Sequence, residues 1–300
     1  MKRQCSNKCF YWTERDCSKN RFEFETPYSR VNYRGFCDHF QAYVGRDGIS
    51  YPIIDEWGKG AKYWDHAWNP VVGCRKVSEG CSNCYAAQMA ERFPELRDEN
   101  GGFEPHEPKN EKYPPRKGVL FVGNMTDLFG EWNDNPFLIT RTAMISLFPN
   151  PVKLILTKRP EHIWDKNYLV FDERTWIGVT GENQDRLNAR LDDLCLVEHQ
   201  HKWLSLEPLL GEIDLSSAFE FARLETHKKM SDCFQWVVVG AESGPNRRPC
   251  KLEWVRLIVE QCRENHIPVF VKQLDIGGKL EKNITRFPTD LMIRQVPWGK

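Results

Sequence analysis

The sequence has no net charge and no long hydrophobic run. Its 42 basic residues balance 42 acidic residues, which argues against general binding to polyanions. Its longest apolar stretches, such as 236–239, are far shorter than the roughly 20 residues that a membrane-spanning helix needs. The residues that follow Met1 do not include the apolar stretch that is typical of a secretory signal peptide. We therefore expect a cytoplasmic protein with no membrane partner.

Glycine-rich phosphate-binding motifs are also missing. Neither a P-loop nor a G-x-G-x-x-G pattern follows the first long apolar run, at 118–123, which weakens an assignment to the common nucleotide-binding folds. The chain nevertheless has 300 residues, of which 40% are hydrophobic. That is enough for one large α/β domain with an appended module.

Cysteine, in contrast, is abundant, with 11 residues. A reducing cytoplasm disfavours disulfides, so clustered cysteines there indicate metal ligands or redox groups. We expect the scattered cysteines to be small buried hydrophobic residues. These are Cys195, Cys233, Cys250 and Cys262.

The composition divides the chain at about residue 63. Residues 1–63 are rich in aromatic residues and cysteine and have no long helical period, which predicts a small module of loops and strands. Residues 64–300 alternate short apolar runs with amphipathic stretches, which predicts β-α units around a parallel sheet buried on both faces. We predict strands at 67–72, 118–123, 152–157, 175–180, 202–206, 235–240 and 268–272, and helices at 84–93, 137–148, from 183 onwards and at 251–264.

This rhythm predicts an α/β fold, namely a partial or complete TIM-like (β/α) barrel, with a doubly wound open sheet as the alternative. In both architectures the chemistry lies at the carboxyl ends of the strands. Polar residues are concentrated there, which predicts a polar mouth. They are Asn124, Asp127, Lys158, Arg159, Thr180, Glu182, Asn183, Glu207 and Glu242.

The strongest local signal is a C-x6-C-x2-C loop formed by Cys74, Cys81 and Cys84. Three thiolates on one short loop can occupy three corners of a metal centre. Structural zinc normally has four protein ligands, whereas a [4Fe–4S] cluster held by three cysteines leaves one iron open. An open iron can be chelated by a small molecule, so we favour the cluster over zinc.

The cysteine loop and the strand ends together resemble a phage-associated three-cysteine family of divergent radical SAM-like proteins. The resemblance covers roughly residues 64–275 and rests on motifs that occur in order along the chain. These motifs are AWNPVVGC at 67–74 with Cys81, Cys84 and Tyr85, FVGNMTDLF at 121–129, LTKRPE at 156–161, GVTGEN at 178–183, LSLEPL at 204–209 and GAESG at 240–244.

The resemblance implies a partial TIM-like barrel, a [4Fe–4S] cluster, S-adenosylmethionine and an external electron donor. It further implies reductive cleavage to a 5′-deoxyadenosyl radical that abstracts hydrogen from an unknown substrate, for which we consider a nucleic acid or nucleotide. Two features depart from the wider pattern: six residues separate Cys74 from Cys81 instead of three, and 123–127 replaces the usual Gly-Gly-Glu stretch.

Position at the strand ends suggests roles in cofactor binding under this interpretation. Asn124 or Asp127 would accept from the methionyl ammonium. Lys158, with Arg159 beside it, would hold a carboxylate or phosphate. The ribose hydroxyls would pair with Thr180, Glu182 or Asn183. The adenosine or the substrate would lie near Glu207 and Glu242, at later strand ends.

Two other classes of function remain open. The first is a zinc-binding nucleic-acid-binding or scaffold protein of phage origin, in which Cys5, Cys9, Cys17 and Cys37, with His39 nearby, hold a second metal, zinc or iron–sulfur. The second is a TIM-barrel hydrolase that uses Glu207 and Glu242 as an acid/base pair. Within the predicted helix at 84–93, the spacing of Tyr85, Met89 and Phe93 predicts a buried face.

Overall fold

The computed structural model describes residues 61–110, 113–134, 144–163, 171–226 and 229–298, together with four short strands nearer the N-terminus. Those strands form two antiparallel pairs, β1 (Arg21–Glu25) with β2 (Arg30–Arg34) and β3 (Ala42–Val44) with β4 (Ser50–Pro52). Cys5, Cys9, Cys17, Cys37 and His39 lie outside the described residues, and so does most of the helix predicted at 137–148.

An eight-stranded sheet dominates the rest of the chain, which gives an α/β fold. Its strands follow one another in chain order, and each neighbour from β5 to β11 is parallel. Because the order never reverses, the sheet has no switch point of the doubly wound kind. The strands are β5 (His66–Trp68), β6 (Val119–Val122), β7 (Val152–Thr157), β8 (Thr175–Thr180), β9 (Lys202–Leu206), β10 (Val237–Gly240), β11 (Val269–Ile276) and β12 (Lys279–Glu281).

The sheet is strongly curved around an aromatic layer. The centre of the Tyr63 ring lies 6.4 Å from the ring centre of Phe121 of β6 and 5.5 Å from that of Phe270 of β11. In a flat sheet these strands would be about 24 Å apart, because neighbouring strands are spaced by about 4.8 Å. The ring of Tyr63 therefore bridges the concave face, where Trp203 and Trp236 also contact it at 5.9 and 5.3 Å.

The sheet remains open, so a complete barrel is the wrong prediction. The outer edge of β11 is already covered, by antiparallel pairing with β12 and by backbone hydrogen bonds from Val271 to Ile293 and from Gln295 to Val269. These contacts use the groups that closure onto β5 would require.

Five helices lie in the described residues, and the last four of them pack on the convex face of the sheet. They are α1 (Tyr85–Arg92), α2 (Gln184–Leu196), α3 (Leu215–Thr226), α4 (Met230–Cys233) and α5 (Leu252–Glu264). Short 3-10 turns occur at Glu79–Cys81, Pro94–Leu96, Glu131–Asp134, Met144–Leu147, Pro160–His162, Ile284–Arg286 and Thr289–Leu291. In the described part of the chain, no helix has the length and apolar character to cross a membrane.

Helix α1 packs through a different face from the one predicted. Its buried residues are Ala86 and Ala90, whereas Tyr85, Met89 and Phe93 are 44%, 39% and 45% exposed. The buried-face prediction is therefore wrong. The small alanine side chains allow the helix backbone to approach the cluster around Val72 and Met125, which turns the larger side chains outwards.

The scattered cysteines are buried as expected, but two of them are paired. Cys195 of α2 and Cys233 of α4 form a disulfide within the same hydrophobic core cluster. The expectation of unpaired thiols is wrong for this pair, because α2 and α4 pack directly against each other. Cys250 and Cys262 are free and buried.

Candidate functional site

The cysteine loop, residues 74–84, joins β5 to α1 and starts from a tightly held turn. Gly73 has a φ of +97°, and a Cβ there would lie 2.1 Å from the Glu104 carbonyl oxygen, so only glycine fits. The amide of Gly73 donates to the Met125 carbonyl at 3.0 Å, and the amide of Cys74 donates to the Phe103 carbonyl at 3.0 Å. The loop therefore leaves the sheet at a fixed point beside the end of β6.

From there the cysteine loop crosses to the end of β8. The Ser78 hydroxyl donates to Oε1 of Glu182 at 2.5 Å. Gly80 lies against the same carboxylate so closely that a Cβ would be 2.3 Å from Oε1. Glu182, two residues beyond β8, is completely buried, so the loop covers it.

Glu182 is also held by two cations. Lys158 Nζ lies 2.7 Å from Oε1, and Arg190 of α2 lies 2.6 Å from Oε2. Burial alone would raise the pKa of Glu182, but the charges of Lys158 and Arg190 and the Ser78 hydrogen bond hold it below its ordinary value. Glu182 is therefore ionised at neutral pH, and both of its oxygens are engaged.

A second buried carboxylate, Glu242, contacts the cysteine loop near its carboxyl end. Asn83 Nδ2 donates to its Oε2 at 3.0 Å. Arg248 binds it through the backbone N–H at 2.8 Å and Nε at 2.9 Å, and its Nη2 bonds Oε1. Burial acts to raise the pKa of Glu242, yet the Arg248 and Asn83 hydrogen bonds hold it below its ordinary value.

A third contact joins the cysteine loop to the start of α2. The Arg186 guanidinium binds Glu79 Oε2 through Nε at 3.0 Å and Nη2 at 2.8 Å. Asn183 caps α2 by accepting from the Arg186 amide at 2.9 Å, and its Nδ2 donates to Glu79 at 2.6 Å. The Arg186 hydrogen bonds are the largest of several causes that lower the pKa of Glu79 to about 2.

Asp127 connects the ends of β6 and β7. Its Oδ1 accepts from the Thr157 hydroxyl at 2.7 Å, and its Oδ2 accepts from the Lys158 amide at 3.0 Å and lies 3.4 Å from Arg159. Arg159 in turn donates to the Arg75 carbonyl of the cysteine loop at 2.9 Å. Asp127 is thus a buried structural acceptor as well as a predicted site residue.

Asn124 and Thr180 differ in their availability. Asn124 is half-buried, and its Oδ1 accepts from Asn69 at 2.8 Å, while its carbonyl accepts from the Tyr85 hydroxyl. Thr180 is buried, and its carbonyl accepts from Arg190 at 2.6 Å. The structure therefore brings Asn124 to the mouth and places Thr180 in the layer beneath it.

Glu207, at the end of β9, faces the concave side of the sheet instead of the cysteine loop. Its Oε2 lies 2.6 Å from Lys272 Nζ, and its Oε1 accepts from the Tyr63 hydroxyl at 3.3 Å. The Lys272 ammonium lies 5.5 Å from the rings of both Tyr63 and Trp64. Burial, followed by the charge of Glu207, raises the pKa of Tyr63 well above its ordinary range.

Sequence reasoning missed several partners of the predicted site residues. Ser78, Asn83 and Arg248 hold the two buried carboxylates. Lys272 lies at a predicted strand end, but its ion pair with Glu207 was not predicted. Ser78 and Asn83 lie inside the C-x6-C-x2-C segment, and this position in the sequence could have marked them as site residues. Arg248 gave none, because a loop of five residues separates it from Glu242.

The three cysteines lie on the same loop but differ in their electrostatics. Burial, with a further contribution from Asp127, raises the pKa of Cys74 to about 12. Burial would also raise the pKa of Cys81, but the Lys158 charge and nearby hydrogen bonds hold it below its ordinary value. Cys84 is half-buried against the cluster around Met125.

No three His, Cys, Asp or Glu side chains of the described ranges form a group that would hold a metal ion. The donor set nonetheless fits an iron–sulfur cluster by its chemistry, because three unpaired thiols on one loop are the ligands that such clusters take. The N-terminal cysteines fall outside the described residues. Both metal assignments therefore stay predictions.

Residues 59–291 match the family described as protein of unknown function (DUF5131). No curated protein matches the chain, and no solved structure does. Since the match covers well over half of its length, the chain belongs to the DUF5131 family.

Proposed function

We propose that the protein is an iron–sulfur enzyme of the radical SAM type, built on a partial TIM-like barrel, with Cys74, Cys81 and Cys84 as the cluster ligands. The observation that carries the proposal is the course of the cysteine loop. Its contacts run to residues at the ends of β7, β8 and β10. The carboxyl edge of a parallel sheet is where α/β enzymes carry out their chemistry.

A [4Fe–4S] cluster bound there would supply an electron, received from an external donor, for the reductive cleavage of S-adenosylmethionine. The protein's own residues would bind and orient the cofactor. In the described part of the chain Asn124 Nδ2 donates to no acceptor, so it is available to a cofactor carboxylate. Among the described residues Glu207 accepts from Tyr63 and Lys272, whereas a carboxylate can accept about four hydrogen bonds. We assign Glu207 to the adenosine or the substrate.

The strongly curved sheet supports the partial-barrel part of the proposal. A Cβ at Gly178 would lie 2.4 Å from the Trp203 indole, so the concave face is filled by rings near the middle of β8 and β9. Polar side chains of Lys158, Glu207 and Lys272 lie beyond these rings, towards the strand ends. This division gives a dry floor beneath a polar mouth.

The hydrolase alternative has weaker support. Glu242 is ionised at neutral pH because Arg248 and Asn83 hold its pKa low. Glu207 has its own ion pair with Lys272. An acid/base pair needs one carboxyl group that is protonated when the reaction begins, and Glu242 does not meet that condition.

The test is anaerobic reconstitution of the full chain with iron and sulfide. We expect a brown, oxygen-sensitive protein whose iron is lost when Cys74, Cys81 and Cys84 are all replaced by Ala. Replacement of Cys250 and Cys262 by Ala is the matched control and should leave the iron content unchanged. Full iron content in the triple variant would contradict the ligand assignment.

The reduced, cluster-loaded protein should then form 5′-deoxyadenosine from S-adenosylmethionine, measured by chromatography. Because turnover can require the unknown substrate, the EPR signal of the cluster provides a second readout. An EPR signal that S-adenosylmethionine leaves unchanged would overturn the enzyme assignment.

A further inference from the structure

Three glutamates follow neighbouring strands of the sheet, but only two of them contact the cysteine loop. Glu182, after β8, accepts from Ser78, and Glu242, after β10, accepts from Asn83. Glu207, after the intervening strand β9, contacts Lys272 and Tyr63 instead. Three residues that look equivalent in the sequence therefore have different surroundings.

We propose that Glu182 and Glu242 are positioning residues for the cysteine loop, which they hold at its middle and near its carboxyl end, and that they do not bind the cofactor directly. The inference deepens the proposed function, on which its consequence for the cluster rests. The clamp itself follows from contacts within this chain.

The contacts of Glu182 favour this role. Oε1 receives Ser78 and Lys158, Oε2 receives Arg190, and the side chain is completely buried beneath Gly80. A ligand would have to displace one of these charge-assisted hydrogen bonds, each of which is stronger than a neutral one. Ser78 belongs to the same turn as Cys81, since the Cys81 amide donates to the Ser78 carbonyl at 2.9 Å.

Glu242 does the same for the second half of the loop. It is 4% exposed, and Arg248 binds both of its oxygens. Arg248 also donates to the Glu79 carbonyl at 3.0 Å, so the ion pair reaches the loop by two routes. Asn83, which lies between Cys81 and Cys84 in the loop and next to Cys84, carries the other route. The positions of Cys81 and Cys84 therefore depend on the two carboxylates.

Hydrogen–deuterium exchange of the metal-free, full-length protein tests the clamp. Glu182→Gln and Glu242→Gln should each accelerate exchange of the peptide spanning 74–84 by about 10- to 100-fold, the loss expected for a charge-assisted hydrogen bond. Glu207→Gln is the matched control and should leave this peptide unchanged. Equal exchange in all three variants would overturn the proposal.

Variants on the loop side guard against loss of folding. Ser78→Ala and Asn83→Ala remove the contacts while leaving each carboxylate with its cations, and each should accelerate loop exchange several-fold. If Glu182 acts through Ser78, the double variant Ser78→Ala/Glu182→Gln should exchange no faster than Glu182→Gln alone. Fully additive effects would indicate a general structural role and refute the clamp.

Reconstituted protein separates this inference from the proposed function. The clamp predicts that Glu182→Gln and Glu242→Gln lose iron faster and broaden the EPR signal of the cluster, whereas Glu207→Gln keeps both at wild-type values. If the two Gln variants accelerate loop exchange but the wild-type protein binds no iron, the clamp is supported and the proposed enzyme function is refuted. Iron binding with unchanged loop exchange in every variant would do the reverse.

Discussion

Replacing Gly80 by Ala tests the packing of the cysteine loop on the sheet. The added Cβ would lie 2.3 Å from Oε1, 2.5 Å from Cγ and 2.7 Å from Cδ of Glu182. Glu182 cannot swing aside easily, because it is buried and bound by Lys158, Arg190 and Ser78. The loop must therefore move, or the carboxylate must give up a partner.

Overpacking of this kind costs about 1–3 kcal/mol. For a chain of this size that corresponds to a fall in Tm of about 2–4 °C for each kcal/mol. We expect Gly80→Ala to lower the Tm by several degrees in calorimetry and to reduce iron retention after reconstitution.

Gly211→Ala is the matched control. Among the described residues its added Cβ would contact Asn183 alone, at 3.7 Å, an ordinary van der Waals distance, and its φ lies outside the left-handed region. It should leave the Tm within about 1 °C of wild type. If Gly80→Ala behaves like Gly211→Ala, the close approach of the loop to Glu182 is refuted.

Two further predictions concern buried charge. The folded-state pKa of Glu182 lies below its ordinary value of 4.5, so the ionised side chain stabilises the fold above that pH, and this stabilisation is lost as the pH falls through the folded value. Glu182→Gln should therefore weaken the acid dependence of the free energy of unfolding. An unchanged urea-denaturation profile between pH 3 and 6 would contradict this. Lys272→Met leaves the largely buried Glu207 carboxylate without its cation and should cost about 2–3 kcal/mol, less than the roughly 3–5 kcal/mol of a fully buried pair because the Lys272 side chain is 22% exposed. The exposed Lys279→Met should change stability by less than about 0.5 kcal/mol, and equal losses in the two lysine variants would show that the Glu207 ion pair contributes nothing.

Much of the sheet could be predicted because its strands are buried on both faces. The apolar runs at 152–157, 175–180 and 202–206 coincide with β7, β8 and β9. Helix α2 begins after Asn183 because that side chain caps it, as the sequence predicted. Each of these elements is determined by a local pattern, namely continuous burial or a capping residue.

The features that were missed depend on contacts between distant segments. Strand β12 follows a Gly277–Gly278 turn, a hairpin signal that could have been found. Its effect, covering the edge of β11 and keeping the sheet open, depends on the curvature of all eight strands. Likewise, the strand-end glutamates were predicted as site residues. That Glu182 and Glu242 contact the cysteine loop while Glu207 pairs with Lys272 depends on which side chains lie opposite them in the fold.

The Tyr63 ring has a consequence for the order of folding. Tyr63 precedes every strand of the large sheet, yet its hydroxyl donates to Glu207, 144 residues further along the chain, and its ring contacts Phe270 of β11. During synthesis from the N-terminus, Tyr63 emerges long before these partners exist. Contacts of such large sequence separation carry a high loop-closure cost and form slowly. The concave face can therefore close over its aromatic floor only after β11 has been made, and until then that apolar surface stays exposed to chaperones and to aggregation.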